Sequence, residues 1–193
     1  MYYSIIGIEW ISWRNQWLIA KLKSPYNMQL AINLWKPEPL REDPHLEFTV
    51  NGRAPLPDLL GTGSITWLMS GRFLRFLRQA GVRFESFPVK LYDRKSGELV
   101  QKEYEVFHLL QVQPVVDLER SNITSIEHIE RIELIQFGED APRMARDSFL
   151  SSEVFVREDL RDQIIDEGIT GCYWSKPEEF QFITDTNVFS RRY

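Results

Sequence analysis

The sequence contains few of the residues from which disulfides and metal sites are built. Its 193 residues include one cysteine and three histidines. A lone thiol, Cys172, cannot form an internal disulfide, which is typical of a protein kept in a reducing compartment. His45, His108 and His128 form no HxH or HxxxH pattern, and none is close to Cys172 in sequence. Because a zinc site needs three or four converging ligands, we expect no metal and no other cofactor.

Long hydrophobic runs are also missing. The longest apolar stretch, from Ile5 to Leu22, is interrupted by Glu9, Arg14, Asn15, Gln16 and Lys21. It is therefore too polar to cross a bilayer. The N-terminus has neither the basic segment nor the apolar segment of a signal peptide. We therefore expect a soluble, cytoplasmic protein that does not insert into a membrane.

The chain has no excess of positive charge. It contains 23 Lys and Arg against 28 Asp and Glu, with a net charge of −5 and a pI of about 5.3. A mildly acidic surface repels phosphate groups, so we expect neither nucleic acid nor an anionic membrane as a partner. Arg72, Arg75, Arg78 and Arg83 form a local basic patch, which a solvated helix face explains without nucleic acid.

The sequence does contain the material for a core. Hydrophobic residues make up 43% of it, with six Trp, seven Tyr and twelve Phe, and a disordered chain would have far fewer aromatic residues. A chain of this length can bury a core without disulfides or metals. Proline and glycine predict two long loops, at residues 36–44 and 51–63. With no repeat and no convincing linker, the sequence predicts a single domain over residues 1–193.

Local patterns predict an α+β fold. Ser70 can cap a helix whose apolar residues recur at helical spacing and which stops at Gly81. Strands over 83–92 and 103–112 flank a turn at 93–97 and predict a hairpin. Further strands are predicted at 129–137, 154–156 and 172–174. Because strands outnumber helices and pair locally, we expect a mostly antiparallel sheet with a few packed helices.

A second helix is predicted over residues 157–167. Leu160, Ile164 and Ile165 are predicted to face inward, and Gly168 is predicted to end the helix. Five acidic residues, which we call the acidic stripe, lie along this segment: Glu158, Asp159, Asp162, Asp166 and Glu167.

The acidic stripe has two interpretations. Acidic residues in the first turn of a helix are stabilised by the helix dipole, whereas Asp166 and Glu167 in the last turn cost roughly a few tenths of a kcal/mol. A solvated surface tolerates that cost, so the stripe is either an ordinary exposed face or a surface that contacts a basic partner. In the second case all five residues are candidate binding residues.

Motifs for catalysis are weak. The segment Gly61-Thr62-Gly63-Ser64 lacks the spacing of a phosphate-binding or dinucleotide-binding loop, and a turn is the simpler interpretation. Cys172 needs a base and an orienting group to act as a nucleophile, and it is more simply a small apolar residue. The remaining enzyme hypothesis is a site assembled only in three dimensions, from Glu105, His108 and Cys172.

Three segments of the chain resemble a known family. The first runs from Trp67 to Val82 and continues with Phe87-Pro88-Val89. The second is Asp117-Leu-Glu-Arg-Ser121, and the third combines residues 154–160 with Gly168-Ile-Thr-Gly171. On these segments the chain is similar to the bacterial immunity-protein family eleven, formerly a domain of unknown function, whose genes lie beside toxin genes in polymorphic toxin systems. The resemblance covers a family-like core at residues 60–175 and leaves 1–59 as an N-terminal elaboration.

The resemblance implies a function. Proteins of this family bind a cognate toxin and block it, and they have no catalytic residues to carry over. The shared positions have structural interpretations, with Ser70 as a helix cap, Gly81 as a helix stop, and Asp117 and Ser121 as turn or capping groups. We therefore predict an immunity protein, not an enzyme, that neutralises a bacterial toxin by stoichiometric protein–protein contact. The alternatives are the enzyme hypothesis above and a homo-oligomeric structural protein, such as a homodimer with a large apolar self-contact.

Overall fold

The computed structural model describes residues 3–8, 19–23, 30, 33–34, 36–51, 55–62, 66–125, 128–150, 153–179, 181–185 and 188–192. Its strands, in chain order, are β1 (Tyr3–Ile8), β2 (Lys21–Leu22), β3 (Glu47–Val50), β4 (Leu59–Gly61), β5 (Trp67–Ser70), β6 (Phe84–Pro88), β7 (Lys90–Asp93), β8 (Tyr104–Leu109), β9 (Val112–Gln113), β10 (Asn122–Ser125), β11 (His128–Arg131), β12 (Met144–Asp147), β13 (Val154–Arg157), β14 (Cys172–Ser175), β15 (Gln181–Asp185) and β16 (Val188–Arg192). Two nine-residue helices are described over their whole length, α1 (Gly71–Gln79) and α2 (Glu158–Asp166), and a 3-10 turn lies at Pro177–Glu179. Among the described residues, no helix has both the length and the apolar character needed to cross a bilayer.

The chain folds into two compact units that alternate along the sequence. The first unit contains Met1–Gly7, Gln111–Ile165 and Trp174–Tyr193, and the second contains Ile8–Leu110 and Asp166–Tyr173. Most of the strand pairs are antiparallel and the helices are few. The predicted α+β fold with mostly antiparallel sheet is therefore confirmed. Whether the two units act as the single domain predicted over residues 1–193 stays a prediction.

The first unit is built on a five-stranded sheet with the strand order β14-β1-β13-β12-β9. β13 lies at its centre, and its residues Val154, Phe155 and Val156 are all buried, as predicted for a strand of β-branched and aromatic side chains. The pair β9 and β12 is parallel, whereas β1 and β12 both pair with β13 in antiparallel register. A second, antiparallel sheet of the same unit has the order β10-β11-β15-β16.

The loop after β12 is held by one buried carboxylate. Asp147 is 1% exposed. Its Oδ2 accepts hydrogen bonds from the amides of Val115 and Val116 at 2.7 and 2.9 Å. Its Oδ1 accepts from the amides of Phe149 and Leu150, both at 2.7 Å. Four backbone donors that would otherwise be buried without partners are thus satisfied by a single side chain.

The second unit combines two sheets. The four-stranded antiparallel sheet has the order β4-β5-β8-β6, and the three-stranded sheet has the order β2-β3-β7 with β3 and β7 parallel. The predicted pairing across the 93–97 turn is confirmed for β6 and β8, in which Phe84 lies opposite Leu109. The prediction of one continuous strand over 83–92 is wrong, because β6 and β7 belong to different sheets. Pro88 lies at this break and has no N–H with which to continue the ladder.

Helix α1 follows the predicted signals closely. The Ser70 side chain accepts a hydrogen bond from the amide of Phe73 at 3.3 Å and so caps the helix. Gly81 adopts a φ of 77° just after the last turn, a conformation that glycine reaches without a side-chain clash. Phe73, Leu74 and Leu77 are the buried residues of the helix.

Candidate functional site

In the first unit, the acidic stripe is paired with arginines. Asp159 accepts two hydrogen bonds from Arg157, with Nε–Oδ1 and Nη2–Oδ2 distances of 2.5 and 2.7 Å. Arg143 Nε lies 3.2 Å from Asp159 Oδ2. The hydrogen bond from Arg157, more than the charge of Arg143, lowers the pKa of Asp159. Because the Asp159 side chain is 46% exposed, such pairs contribute at most about 1 kcal/mol each to stability.

Arg161 bridges two further acids of the stripe. Its guanidinium lies 3.3 Å from Glu158 Oε1 and 2.8 Å from Asp162 Oδ1. Arg161 Nη1 also donates a hydrogen bond to Ser4 Oγ at 2.8 Å. The stripe in the first unit therefore presents carboxylates that already have arginine partners, not a field of uncompensated negative charge.

The last two acids of the stripe belong to the second unit. Glu167 Oε2 lies 4.0 Å from Arg72 Nη2, which also donates to the main-chain oxygen of Glu167. Asp166 is exposed, and among the described residues no cation forms an ion pair with it. No basic residue lies in the last turn of α2. Asp166 is therefore the acid of the stripe whose charge is least compensated.

The outer face of α2 also carries an apolar side chain. Leu160 and Ile164 are buried as predicted, but Ile165 is 53% exposed, so its predicted inward orientation is wrong. With about 100° of rotation per residue, Ile164 lies only about 40° around the helix from the buried Leu160, whereas Ile165 lies about 140° from it and points away from the buried face. Its neighbours one and two turns earlier are Asp162 and Glu158.

The residues of the enzyme hypothesis have separate contacts. Glu105 and His108 are three positions apart on β8, which places their side chains on opposite faces of the strand. Ser86 Oγ donates to Glu105 Oε2 at 2.5 Å, whereas His108 Nε2 lies 2.8 Å from the main-chain oxygen of Lys36. Cys172 is a half-buried thiol at the start of β14. Within the described part of the chain, no three His, Cys, Asp or Glu side chains are grouped as metal ligands.

A buried carboxylate connects two of the family-like segments in the second unit. Asp58 is 4% exposed. Its Oδ1 accepts from Ser70 Oγ at 2.7 Å and from Lys102 Nζ at 3.1 Å. Its Oδ2 accepts from the amide and hydroxyl of Thr170 at 3.1 and 3.2 Å. The helix cap of α1 and the Gly168–Gly171 segment therefore meet at one side chain, and we call this cluster the Asp58 hub.

The hub was not predicted from the sequence. Asp58 lies in a stretch assigned to a loop, although the pair Leu59-Leu60 that follows it was a signal for the buried strand β4. Lys102 Nζ also donates to the main-chain oxygens of Leu56 and Pro57, at 2.8 and 3.2 Å. With Asp58, these acceptors match the three donors of the ammonium group. The hydrogen-bond donors and acceptors of the hub thus pair with one another, which indicates a structural role.

The hydrogen bonds of the hub outweigh the cost of burying its charge. Burial alone would raise the pKa of Asp58, but the donors Ser70, Thr170 and Lys102 hold the pKa below its ordinary value. A carboxyl whose pKa is lower in the folded chain contributes stability above its unfolded pKa of about 3.9, and that contribution is lost as pH falls through the folded value. The burial of the nearby Tyr104 hydroxyl, and secondarily the charge of Asp58, raises the pKa of Tyr104.

We predict that Asp58→Asn lowers the free energy of unfolding at pH 7 by about 2 kcal/mol, because charge-assisted hydrogen bonds are replaced by weaker or mismatched ones. Urea titrations at pH 7 and at pH 3 measure the difference, which should shrink at the lower pH because the carboxyl of the unfolded wild type is largely protonated there. Asp140→Asn, at an exposed aspartate, is the control and should change little at either pH. An Asp58→Asn penalty that is constant with pH would contradict the proposed charge dependence.

Gly171 allows the C-terminal segment of the hub to approach β4. The amides of Asp58 and Leu59 both donate to the main-chain oxygen of Thr170, at 3.0 Å. Gly171 has a φ of 89°, and a Cβ atom there would overlap the main-chain oxygen of Leu59 and lie 2.8 Å from Pro57 Cβ.

We predict that Gly171→Ala destabilises the chain by more than the roughly 1–2 kcal/mol that a left-handed backbone costs an L-residue, because the methyl group also meets backbone. Gly81→Ala is the matched control, since Gly81 has a φ of 77° and open space around the position of a Cβ. Thermal unfolding measures the loss of stability in both variants. The loss in Gly81→Ala reports the cost of the left-handed backbone, and the additional loss in Gly171→Ala reports the steric overlap. Equal destabilisation of both variants would show that the close approach at Gly171 carries no cost.

The Asp117 to Ser121 segment forms a closed turn in the first unit. Asp117 Oδ1 accepts from the amides of Glu119 and Arg120, both at 3.2 Å. The Ser121 hydroxyl accepts from the amide of Glu133 at 2.8 Å. The structural roles expected for Asp117 and Ser121 are therefore confirmed, and the turn leaves Leu118 51% exposed at its tip.

Comparison with known proteins identifies the family. The model of the Immunity protein family (Imm11) matches residues 10–178. The match begins well before residue 60, where the resemblance seen in the sequence starts, and includes the Asp58 hub and α2. No protein of curated function is significantly similar to the chain. Because the match spans most of the sequence, the chain belongs to the Immunity protein family (Imm11), as its motifs predicted.

Proposed function

We propose that this chain protects the cell that produces it by binding a cognate bacterial toxin and neutralising it through stoichiometric contact. The family match over residues 10–178 is the observation that carries the proposal. We further propose that the chain acts in the cytoplasm, as part of a polymorphic toxin system. The partner in this proposal is a protein, and neither nucleic acid nor a membrane is required.

The contacts of the polar side chains support a role in binding rather than in catalysis. In the Asp58 hub, the carboxylate, the hydroxyls and the ammonium group are engaged with one another and with main-chain oxygens. Glu105 and His108 lie on opposite faces of β8 and have different partners. A protein that neutralises a toxin by covering its surface needs no reactive group of its own.

We propose the acidic stripe as one toxin contact. The carboxylates of Asp159 and Asp162 are 46 and 60% exposed, so a basic toxin can reach them and compete with the arginines for them. Ile165 is 53% exposed beside them and offers apolar area to the same partner. An apolar anchor within a charged rim is the usual anatomy of a protein interface. Asp166 and Glu167 complete the proposed contact at the end of the helix.

Co-expression tests the function itself. We predict that the gene next to this one encodes a toxin, that expression of the toxin domain alone stops growth, and that co-expression of this chain restores it. The purified toxin domain and this chain should co-elute in a 1:1 complex, because neutralisation by contact requires equal amounts. Rescue without a complex, or a complex without rescue, would contradict neutralisation by stoichiometric contact. A chain that elutes alone as a stable dimer would favour the homo-oligomer alternative.

Charge reversal tests the acidic stripe. We predict that the double variant Asp162→Lys, Asp166→Lys binds the toxin domain about ten-fold more weakly, with a smaller dependence of affinity on salt, because attraction to a basic partner is replaced by repulsion. Isothermal titration calorimetry at two salt concentrations measures both effects. A double variant with the same charge change at exposed acids elsewhere, Glu119→Lys and Asp140→Lys, is the control. An equal loss in both variants would indicate a general effect of net charge and remove the support for the stripe.

A further inference from the structure

A groove of about 440 Å³ opens on the second unit beside the turn that connects β7 and β8. Leu56, Leu99 and Val100 provide its apolar lining. Leu56 and Val100 pack against the core of the unit, whereas Leu99 does not belong to that core and is 52% exposed. A single exposed leucine needs no explanation, but Leu99 lies beside two other apolar residues and several polar ones in an open groove, so this surface offers a partner both apolar and polar contacts.

The wall of the groove is ordered by its own hydrogen bonds. The Asp93 amide donates to the main-chain oxygen of Glu98 at 2.8 Å, and the Gly97 amide donates to the main-chain oxygen of Asp93 at 2.9 Å. Asp93 Oδ1 accepts from the amides of Lys95 and Ser96 at 2.8 and 2.7 Å. A binding surface that is already ordered loses little conformational entropy when a partner arrives.

Pairing of its backbone with β7 holds Leu99 in place. Tyr92 and Leu99 form a β-bridge, and the amide of Val100 donates to the main-chain oxygen of Leu91 at 2.8 Å. The backbone on both sides of Leu99 is therefore anchored to β7. The ordered backbone places the Leu99 side chain at the surface, so a partner can cover this side chain without rearranging the unit.

The charges of the groove favour a basic occupant. Its lining contains two carboxylates, Asp93 and Glu98, and one cation, Lys102. Asp93 Oδ1 already accepts hydrogen bonds from the amides of the turn, so Glu98 supplies the charge that a basic partner would meet. The Lys102 ammonium is committed to Asp58 and to the main-chain oxygens of Leu56 and Pro57. Glu98 is exposed, and no cation among the described residues forms an ion pair with it. A basic side chain placed beside Leu99 would therefore meet attraction, whereas an acidic one would meet repulsion.

We infer that this groove binds a segment of the toxin in which an apolar side chain lies next to a lysine or arginine. The inference rests on the proposed function and adds a second contact surface to it, separate from the acidic stripe. The apolar side chain enters between Leu56, Leu99 and Val100, and the basic side chain pairs with Glu98. The groove thereby supplies both the buried anchor and the adjacent charge that concentrate binding energy in protein interfaces.

Two substitutions at exposed positions test the groove against the toxin domain encoded by the adjacent gene. Leu99→Asn places a neutral polar group in the apolar lining without changing the charge, and we expect it to raise the dissociation constant by about ten-fold. Glu98→Lys reverses the charge, and we expect a similar rise that is largest at low salt. Leu118→Asn is the matched control, because Leu118 is 51% exposed and receives the same chemical change in the first unit. It should bind within about two-fold of wild type.

The outcomes separate the groove from the function. If wild type binds and rescues growth while Leu99→Asn and Glu98→Lys bind equally well, the groove inference is overturned and the proposed function stands. If wild type neither binds nor rescues, the proposed function fails and the groove inference fails with it. Circular dichroism and thermal unfolding establish that each variant is folded. A loss of toxin binding by Leu99→Asn that is no larger than the loss by Leu118→Asn would also overturn the inference, as would a Leu99→Asn effect confined to self-association of the chain.

Discussion

The hydrogen bonds of one buried carboxylate organise the second unit. Asp58 accepts from the cap of α1, from the Thr170 segment near the C-terminal end of the unit, and from Lys102. These donors lie as many as 112 positions from Asp58 in the sequence, so the carboxylate connects segments that no local pattern would bring together. Asp147 has a comparable role in the first unit, where it accepts four backbone amides. In both cases a single negative charge is stabilised by donors that would be costly to leave buried and unpaired.

Because of these contacts, an acidic sequence does not produce a uniformly acidic surface. Buried acids hold the fold, and several exposed acids of α2 are paired with Arg157, Arg161 and Arg143. Asp166 and Glu98 are among the exposed carboxylates for which no ion pair is found in the described part of the chain, and their positions are more informative about a partner than the net charge of −5. Each lies on a different candidate surface, one on the acidic stripe and one in the groove, and both surfaces also expose an apolar residue.

Sequence patterns predicted well where the structure depends on nearby residues. The α1 cap at Ser70, the stop at Gly81 and the Asp117 turn depend on contacts within a few positions. The strand around Phe155 was predicted from its run of β-branched and aromatic residues, although its sheet partners are remote in sequence. The errors have a common cause. The strand predicted over 83–92 is divided between two sheets, and Ile165 is exposed although it follows the buried Ile164, because the packing of distant segments decides which face is covered. The Asp58 hub was missed for the same reason, since Lys102 and Thr170 are remote from Asp58 in sequence.

The sequence by itself determined the fold class, the two helices with their caps, the family and hence the expectation of a toxin-binding protein. These depend on composition, on periodicity and on short motifs, which are local properties of the chain. Only the tertiary structure decided which charges are compensated, which apolar residues stay exposed and where a groove forms beside Leu99 and Glu98. A partner contacts the charged and apolar side chains that stay exposed after the other polar groups of the chain have paired with one another. Which side chains stay exposed depends on contacts between residues far apart in sequence.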